Sequence, residues 1–270
     1  MNDRADERVK LSREGGIATI LLDRADRMNA IDDAMTLRLI AIFSALAEDR
    51  ETRAVVIQGE GRNFSTGGDI GNIAEWLSPD PQSRHDRFTA AVTNLSKPLA
   101  LALENVPQPL IVAVRGHAIG VALQIVIMAD LVVASESARF TLPQLDLAHT
   151  PDHGESWALP RKIGLSRSLQ MALMAERIDA VTAERFGLVN WVVPDPELEA
   201  RTTAVATRIA GSPVVATRGV KALLHGATGL SLAQALDREI AMLGQVVKEA
   251  DFVEAITAFT EKRPPSFGGR

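Results

Sequence analysis

The chain of 270 residues contains no cysteine. This absence excludes disulfide bonds, thiolate metal sites and a cysteine nucleophile in one step. Apolar runs are short as well, and none reaches the roughly 18 residues that a membrane-spanning helix requires. A protein without cysteine tolerates any redox state, so we take a cytoplasmic location with no membrane partner as the default expectation.

An excess of positive charge is also missing. The formal net charge is −5 at pH 7 and the isoelectric point is about 5.6, which argues against a nucleic-acid partner. Residues 1–8 are rich in charge and lack the apolar segment of a secretory signal. With 46% hydrophobic and 23% charged residues, the composition is that of an ordinary globular protein with a large core.

Two glycine-containing loops follow strand-like segments. The β-branched, apolar residues 55–57 predict a buried strand, after which comes the loop 63–70, with the sequence NFSTGGDI. A second strand-like run, 110–114, precedes Gly116 and Gly120, which flank a turn into an apolar helix. Glycines let the backbone bring bare N–H groups against a ligand. Two N–H groups from separate loops suit an oxyanion better than a phosphate, which usually needs one continuous loop.

Strands and helices alternate over the first two thirds of the chain. The pattern predicts, in order, a hairpin (9–11 and 17–22), a helix capped by Asp32, a mobile loop (71–90), a helix (about 85–104), a helix (120–128) and two strands (131–134 and 139–142). This alternation indicates an α/β core.

From about residue 195 the pattern changes to helices alone. Helical periodicity covers the segments 197–210, 213–225, 231–248 and 250–262. We therefore expect a core over residues 1–195 and a helical C-terminal subdomain over residues 196–270.

Taken together, these features resemble the crotonase family, the enoyl-CoA hydratase/isomerase superfamily. The resemblance covers nearly the whole chain and includes both glycine loops and the segments 23–24 (DR), 28–30 (MNA), 129–130 (AD), 143 (P), 151–152 (PD) and 259–263 (FTEKR). It implies an α/β fold built as a spiral of ββα units, whose helical tail packs on a neighbouring subunit in a homotrimer or a hexamer (dimer of trimers). It also implies an acyl-CoA substrate and no separate cofactor, since coenzyme A enters as part of the substrate.

The resemblance places the oxyanion donors of crotonases at the N–H groups of Gly68 and Val121. A thioester carbonyl between them would become an enolate when a proton leaves the neighbouring carbon. Donors of this kind contribute roughly 2.7–4 kcal/mol each. Crotonases most often carry glycine where Val121 stands. The N–H of valine can still donate, but its stiff β-branched side chain leaves less room for the thioester.

The acid/base groups of hydratases are replaced. Hydratases of this family hold and split water with two glutamates, and the matching positions here are Gln124 and Gln144. An amide does not titrate near neutral pH and cannot shuttle a proton. The usual hydratase mechanism is therefore disfavoured, and both amides are expected to line the substrate site.

A carboxylate follows at Asp152, within residues 151–157 (PDHGESW). This stretch resembles the Pro-Asp-x-Gly-Gly-x-Trp stretch of the phenylacetate-pathway ring-enoyl-CoA isomerases, which rely on an aspartate here. One carboxylate suffices for a 1,3-proton shift, and such catalysis contributes roughly 10²–10⁴-fold. For this role we expect Asp152 in an apolar pocket. The alternative is that it caps a helix near 155–160.

Other ionisable groups lie close to Asp152 in the sequence. His149, His153 and Glu155 fit no helical zinc motif, so we predict no metal site and expect a supporting or surface role, with His153 a candidate to assist Asp152. His225 is assigned to a helix surface without a partner.

Coenzyme A recognition is implied by the resemblance for Arg24, Arg27, Ala30, Thr66, Asp69, Ile70, Phe259 and Lys262. The cations among them suit phosphates. For the acyl group, residues 71–95 form the expected pocket wall, and Trp76 and Phe88 in it suit a medium or aromatic chain.

Three functions stay open at this point. The first is an enoyl-CoA isomerase with Asp152 as sole acid/base, and the second is a hydratase in which Asp152 activates water. The third is a non-catalytic acyl-CoA-binding protein, which the residues Val121, Gln124 and Gln144 keep open. Dehalogenation is disfavoured, because no aromatic clamp for a haloaryl ring is visible.

Overall fold

The computed structural model describes residues 7–268. Its first two strands form the predicted hairpin. β1 (Val9–Glu14) pairs antiparallel with β2 (Ile17–Leu22). Gly15 and Gly16 form the turn with φ angles of 56° and 79°, a region that glycine adopts without a Cβ penalty. Every second residue of β2 is buried, as expected for a strand with one face on the core.

The hairpin begins a larger sheet, whose strand order among the described residues is β1-β2-β3-β4-β6-β9. The added strands are β3 (Ala54–Gly59), β4 (Leu110–Val114), β6 (Leu131–Ser135) and β9 (Trp191–Val193). Every pairing after the hairpin is parallel. Strand β4 is buried along its whole length, because its side chains alternate between the main core and the apolar contacts on the opposite face.

A smaller sheet lies beside the first and has the order β5-β7-β8. Its strands are β5 (His117–Ile119), β7 (Arg139–Thr141) and β8 (Ile178–Asp179). A single bridge between Ser65 and Ala118 joins the first glycine loop to β5.

Helices fill the connections between the strands. They are α1 (Asp33–Glu48), α2 (Ile70–Glu75), α3 (Pro81–Ala91), α4 (Lys97–Glu104), α5 (Val121–Met128), α6 (Glu155–Ile163), α7 (Leu165–Met174), α8 (Ala180–Phe186), α9 (Leu198–Ala210), α10 (Val214–Gly226), α11 (Leu232–Val246) and α12 (Ala250–Glu261). Helix α1 begins as predicted, with the side chain of Asp32 accepting a backbone N–H of the first turn. The alternation confirms the predicted α/β core.

The predicted mobile loop over residues 71–90 is wrong, because helices α2 and α3 occupy most of it. Asp69 and Asp80 each accept a hydrogen bond from a backbone N–H of the first turn of these helices. Pro81 occupies the first turn of α3, where its missing N–H costs nothing. Helix α3 then continues through a π-helical turn (Val92–Ser96) into α4.

The C-terminal helices differ in what they cover. Helix α9, which follows the expected division at residues 195/196, packs on β3, β4 and β6. Helices α10 to α12 instead leave large apolar side chains exposed, among them Val220, Leu224, Leu232, Leu236, Ile240, Leu243, Val253 and Ile256. No helix within residues 7–268 is long and apolar enough to cross a membrane.

Asp130 attaches α10 to the larger sheet. Its carboxylate accepts hydrogen bonds from the N–H of Leu110 (2.7 Å), Nζ of Lys221 (2.6 Å) and Nε2 of His225 (2.7 Å). Burial acts to raise the pKa of Asp130, but the hydrogen bonds from His225 and Lys221 and the charge of Lys221 outweigh it and hold the pKa below its usual value. The expectation that His225 has no partner is therefore wrong.

Candidate active site

The two glycine loops lie side by side. The N–H of Ser65 donates to the carbonyl of His117 (2.8 Å), and the N–H of Ile119 donates back to the carbonyl of Ser65 (3.2 Å). Gly67 has a φ of 88°, and a Cβ on it would lie 2.4 Å from the carbonyl oxygen of Ile119. Only glycine permits this approach, so the contact explains the first glycine of the Gly-Gly pair.

The N–H groups of Gly68 and Val121 are left without acceptors among the described residues. Next to Gly68, the N–H of Ile31 donates to the carbonyl of Gly67 (2.7 Å) and the N–H of Asp69 donates to the carbonyl of Ile31 (2.9 Å). These two bonds fix the loop and leave the N–H of Gly68 free to bind a ligand. Val121 is the first residue of α5, where backbone N–H groups have no intrahelical partner.

The side chain of Val121 lies in the main core and is 5% exposed. Most of its surface is therefore covered by other core side chains. The N–H remains available at the helix start, where the helix dipole favours negative charge.

The amide of Gln144 contacts a buried carboxylate, and the amide of Gln124 is buried without a partner among the described residues. Nε2 of Gln144 donates to Oε1 of Glu155 (2.9 Å), and Oε2 of Glu155 accepts the N–H of His153 (2.9 Å). Glu155 is only 1% exposed. Both amide atoms of Gln124 and Oε1 of Gln144 are buried without a hydrogen-bond partner among the described residues. Such atoms call for a bound water or substrate group.

Sequence reasoning missed Glu155, to which it gave a supporting or surface role. A signal was present, since this glutamate stands where the resembled isomerase stretch has its second glycine. Its carboxyl is buried and bonded to Gln144, the position that the resemblance matches to a hydratase glutamate.

Asp152, His153 and Ser96 form a hydrogen-bonded line. Oδ1 of Asp152 lies 2.8 Å from Nδ1 of His153, and Nε2 of His153 lies 3.1 Å from Oγ of Ser96. Burial acts to lower the pKa of His153, but the hydrogen bond and charge of Asp152, together with the charge of Glu155, outweigh it and raise the pKa above its usual value.

Asp152 does not lie in the apolar pocket expected for it. Its side chain is 20% exposed and lies among polar groups. It does not cap α6 either, since the capping residue is Gly154 and no side chain caps that helix. One donor atom from each of Asp152, His153 and Glu155 lies within 4.8 Å of the others. These atoms are engaged with one another and with Gln144, so the cluster is a hydrogen-bond network in this structure.

The side chain of Arg24 forms an ion pair and a hydrogen bond within the protein. Its guanidinium forms an ion pair with Asp69 (2.8 Å) and donates to the carbonyl of Ala30 (2.9 Å). Asn29, with a φ of 55°, accepts the N–H of Arg24 and donates to the carbonyls of Glu60 and Asn63. Arg24 therefore joins the segment 24–30 to the first glycine loop.

The other residues expected at coenzyme A are placed differently. Arg27 and Ile70 are exposed beside this joined pair of segments, and the N–H of Thr66 donates to the carbonyl of Met28 (3.1 Å). Phe259, on α12, is 86% exposed. Lys262 ends the same helix in the left-handed conformation. Among residues 7–268, no hydrogen bond or ring contact joins Phe259 or Lys262 to the glycine loops.

The side chains of Trp76, Phe88 and His149 form a group of aromatic rings. The rings of Trp76 and Phe88 meet edge to face with centroids 5.5 Å apart, and Phe88 lies 6.4 Å from the ring of His149. His149 is thus part of this aromatic group, which joins α3 to the turn that carries Asp152.

A mixed sheet covered by helices, with two acceptor-free main-chain N–H groups in neighbouring loops, agrees with a crotonase-type α/β protein. The sequence profile of the family described as Enoyl-CoA hydratase/isomerase matches residues 12–270. The chain belongs to this family, and the resemblance seen in the sequence is confirmed.

Curated relatives are similar over almost the full length. A protein named "Probable enoyl-CoA hydratase" from Rhodobacter capsulatus is 38% identical, over 94% of this chain and 95% of its own. The 1,2-epoxyphenylacetyl-CoA isomerase of Escherichia coli is 30% identical, over 95% of this chain and 97% of its own. A 2,3-dehydroadipyl-CoA hydratase of the same organism is 31% identical, over 96% and 98%. Relatives named as hydratases are 38% and 31% identical to this chain, and the relative named as an isomerase is 30% identical.

Solved structures confirm the fold. A crystal structure from Mycobacterium abscessus, described as an enoyl-CoA hydratase/isomerase, aligns with a TM-score of 0.92 at 34% identity and covers 97% of this chain and 100% of its own. The crotonase-type fold with its C-terminal helices is therefore the fold of this protein.

Proposed function

We propose that this protein is an enoyl-CoA isomerase that moves a C=C bond through an enolate, with Asp152 as acid/base. One observation carries the proposal. Two acceptor-free N–H groups, at Gly68 and Val121, stand at neighbouring loops, and the turn with Asp152 packs against the helix that Val121 begins. A Cβ on Gly154, in that turn, would lie 3.4 Å from Nε2 of Gln124, one helical turn beyond Val121.

The reaction follows from these groups. The thioester oxygen of a 3-enoyl-CoA accepts hydrogen bonds from Gly68 and Val121. Asp152 removes a proton from C2, and the charge moves onto that oxygen, where fixed donors stabilise it. The same carboxyl returns the proton to C4, which leaves the 2-enoyl-CoA. Oδ1 of Asp152 is engaged by His153, so Oδ2 is the oxygen that carries the proton.

The amides at positions 124 and 144 support isomerisation, because neither titrates. The similarity to a 1,2-epoxyphenylacetyl-CoA isomerase points the same way. For the acyl group we propose a medium or aromatic chain, which the Trp76–Phe88–His149 group would contact.

The proposal also assigns the residues that contact coenzyme A and the oligomeric state. Arg27, Ala30, Thr66 and Ile70 are proposed to contact coenzyme A, while Arg24 and Asp69 hold the segments that do so. Phe259 and Lys262 are proposed to reach the nucleotide from a neighbouring subunit of a homotrimer or hexamer. The exposed apolar side chains of α10 to α12 support such an assembly.

Hydration is the second candidate, and Glu155 favours it. A water held by the unpartnered amide atoms of Gln124 and Gln144 would meet a buried carboxylate at hydrogen-bond distance from Gln144. Glu155 could then act as the base that the replaced glutamates no longer supply.

Assays with two substrates distinguish the isomerase, the hydratase and the non-catalytic binding protein. We expect conversion of trans-3-hexenoyl-CoA to the 2-isomer, followed by the absorbance of the conjugated thioester. Asp152→Asn should lower that rate by about 10²–10⁴-fold, because the amide cannot carry the proton. If the variant retained the parent rate, the assignment of Asp152 would be wrong. Preferential hydration of trans-2-hexenoyl-CoA would favour the second candidate, and tight binding of both without turnover would reveal a non-catalytic binding protein.

A further inference from the structure

We propose that Ser96, His153 and Asp152 form a nucleophilic triad and that this protein also hydrolyses acyl-CoA thioesters through an acyl-Ser96 intermediate. The inference rests on the acyl-CoA site proposed above, but it uses a nucleophile that double-bond migration does not need.

The three side chains have the order and contacts that activate a serine. The carboxylate of Asp152 accepts the Nδ1–H of His153 across 2.8 Å. That bond selects the tautomer in which Nε2 has a lone pair, and Nε2 lies 3.1 Å from Oγ of Ser96. A nucleophile bonded to a base, with the base oriented by a third group, is the arrangement of a nucleophilic site.

The hydroxyl of Ser96 has a different kind of hydrogen-bond partner from three other buried helical hydroxyls. Those of Thr36, Ser168 and Thr202 donate to the carbonyl four residues earlier, at 2.7–3.0 Å, which is the common local solution. Ser96 instead bonds a histidine 57 residues away in sequence. It lies at the end of the π-helical turn, a distortion that is frequent at functional sites.

The triad and Val121, one of the two proposed oxyanion donors, lie on elements that meet at the turn carrying Gly154. Gly154, next to His153, packs between Ala100 and Gln124, since a Cβ on this glycine would lie 3.8 Å from the Cβ of Ala100 and 3.4 Å from Nε2 of Gln124. Ala100 is one helical turn beyond Ser96, and Gln124 is one helical turn beyond Val121, so each is about 5–6 Å from its neighbour along the helix. Ser96 and the N–H of Val121 therefore lie on two helices that face the same turn.

The reaction needs only the thioester and water. Oγ of Ser96 forms a bond to the carbonyl carbon while Nε2 of His153 takes the hydroxyl proton, and the oxyanion is held by Gly68 and Val121. The C–S bond then breaks, and the proton passes from His153 to the departing sulfur to give free coenzyme A. Water attacks the acyl-Ser96 ester and gives its proton to His153, which returns it to Ser96 as the carboxylic acid leaves.

The test uses hexanoyl-CoA, which has no chain double bond to move, and measures free coenzyme A with a thiol reagent. Because the chain has no cysteine, the protein adds no background thiol. We expect release by the parent protein and a loss of at least about 10²-fold in Ser96→Ala. His153→Ala should be similarly slow, while Ser168→Ala, a matched buried serine, should retain the parent rate.

A second measurement identifies the intermediate. Ser96→Cys places the only thiol of the chain at this position, and we expect it to acquire one hexanoyl group, located by mass spectrometry of peptides. The proposal is overturned if the parent releases no coenzyme A above the buffer rate, if Ser96→Ala releases it at the parent rate, or if the acyl group is found elsewhere. Conversion of trans-3-hexenoyl-CoA, measured on the same samples, reports the isomerase proposal separately, since either reaction can fail alone.

Discussion

Gln144 donates its side-chain N–H to the buried carboxylate of Glu155 across 2.9 Å. A carboxylate from position 155 thus lies beside the amide at position 144, and its second oxygen accepts the N–H of His153. Two donors therefore converge on one glutamate, which has no hydrogen to give when ionised.

This relationship predicts the effect of Glu155→Gln. The amide can satisfy one of the two donors with its oxygen, but its NH₂ group then faces the other. We expect the free energy of unfolding to fall by roughly 1–3 kcal/mol, the cost of a buried unsatisfied group.

Urea unfolding with a matched control checks the prediction. Gln170 and Glu176 form a similar amide–carboxylate pair at the surface, with Nε2 and Oε2 3.1 Å apart. Glu176→Gln should therefore change stability by less than about 0.5 kcal/mol. Equal effects of the two substitutions would show that Glu155 is not held as described.

Val121→Pro removes one oxyanion donor while it leaves the helix start acceptable. Proline is favoured at the first helical position, where its missing N–H has no intrahelical partner. We expect kcat for isomerisation to fall about 10²–10³-fold, the cost of one lost donor. Val121→Ala is the matched control, since it also removes the buried side chain but keeps the N–H. If both variants lost the same activity, packing and not donation would explain the loss.

The sequence predicted those elements whose signals are local. The hairpin, strands β3 and β4 and helix α1 are set by alternation and by caps within a few residues, and all are confirmed. The loop predicted over residues 71–90 is wrong because the two prolines of this segment suggest a loop. The capping residues Asp69 and Asp80 are also local signals, and they indicate helix starts.

The polar network of the site was beyond sequence reasoning. Ser96 and His153 are 57 residues apart and belong to different elements, so no spacing rule connects them. The expected apolar surroundings of Asp152 were inferred from its proposed task, whereas its side chain is partly exposed and paired with the imidazole of His153. The resemblance assigns Arg24 to coenzyme A, and no local pattern in the sequence indicates its ion pair with Asp69, which lies 45 residues further along the chain.

Asp130→Asn tests how the C-terminal helices are attached. The substitution leaves Lys221 largely buried without its counter-charge, and we expect a loss of about 3 kcal/mol in the free energy of unfolding at pH 7. Because the pKa of Asp130 is lowered in the folded state, its stabilisation is present above the unfolded value near 4 and is lost as pH falls through the folded pKa.

Unfolding of the parent and of Asp130→Asn should therefore converge in acid. Asp237→Asn, at an exposed position on α11, is the control and should match the parent throughout. A stability difference for Asp130→Asn that is the same at pH 7 and at pH 3 would contradict the ion-pair account.

Lys162 is expected to make the stability of the folded protein depend on pH in the alkaline range. Its Nζ donates to the carbonyls of Val126 (3.1 Å) and Ala129 (2.6 Å), at the end of α5. Burial lowers the pKa of Lys162 to about 8, against a smaller opposing effect of the Asp130 charge. Below that pH the ammonium is charged in both states and the cost of burying it is constant. As pH rises from about 8 to about 10.5, the folded state loses the proton first, so the cost is relieved and stability increases.

Lys162→Met isolates this contribution. The free energy of unfolding of the parent minus that of the variant should be constant below pH 8 and should then rise by about 3 kcal/mol up to pH 10.5, since each pKa unit corresponds to about 1.4 kcal/mol. The two lost carbonyl contacts shift the whole difference by a constant and do not change its slope. Lys248→Met, at an exposed position, should show no such slope. A flat difference for Lys162→Met would mean that the ammonium has the same pKa in the folded and unfolded chains.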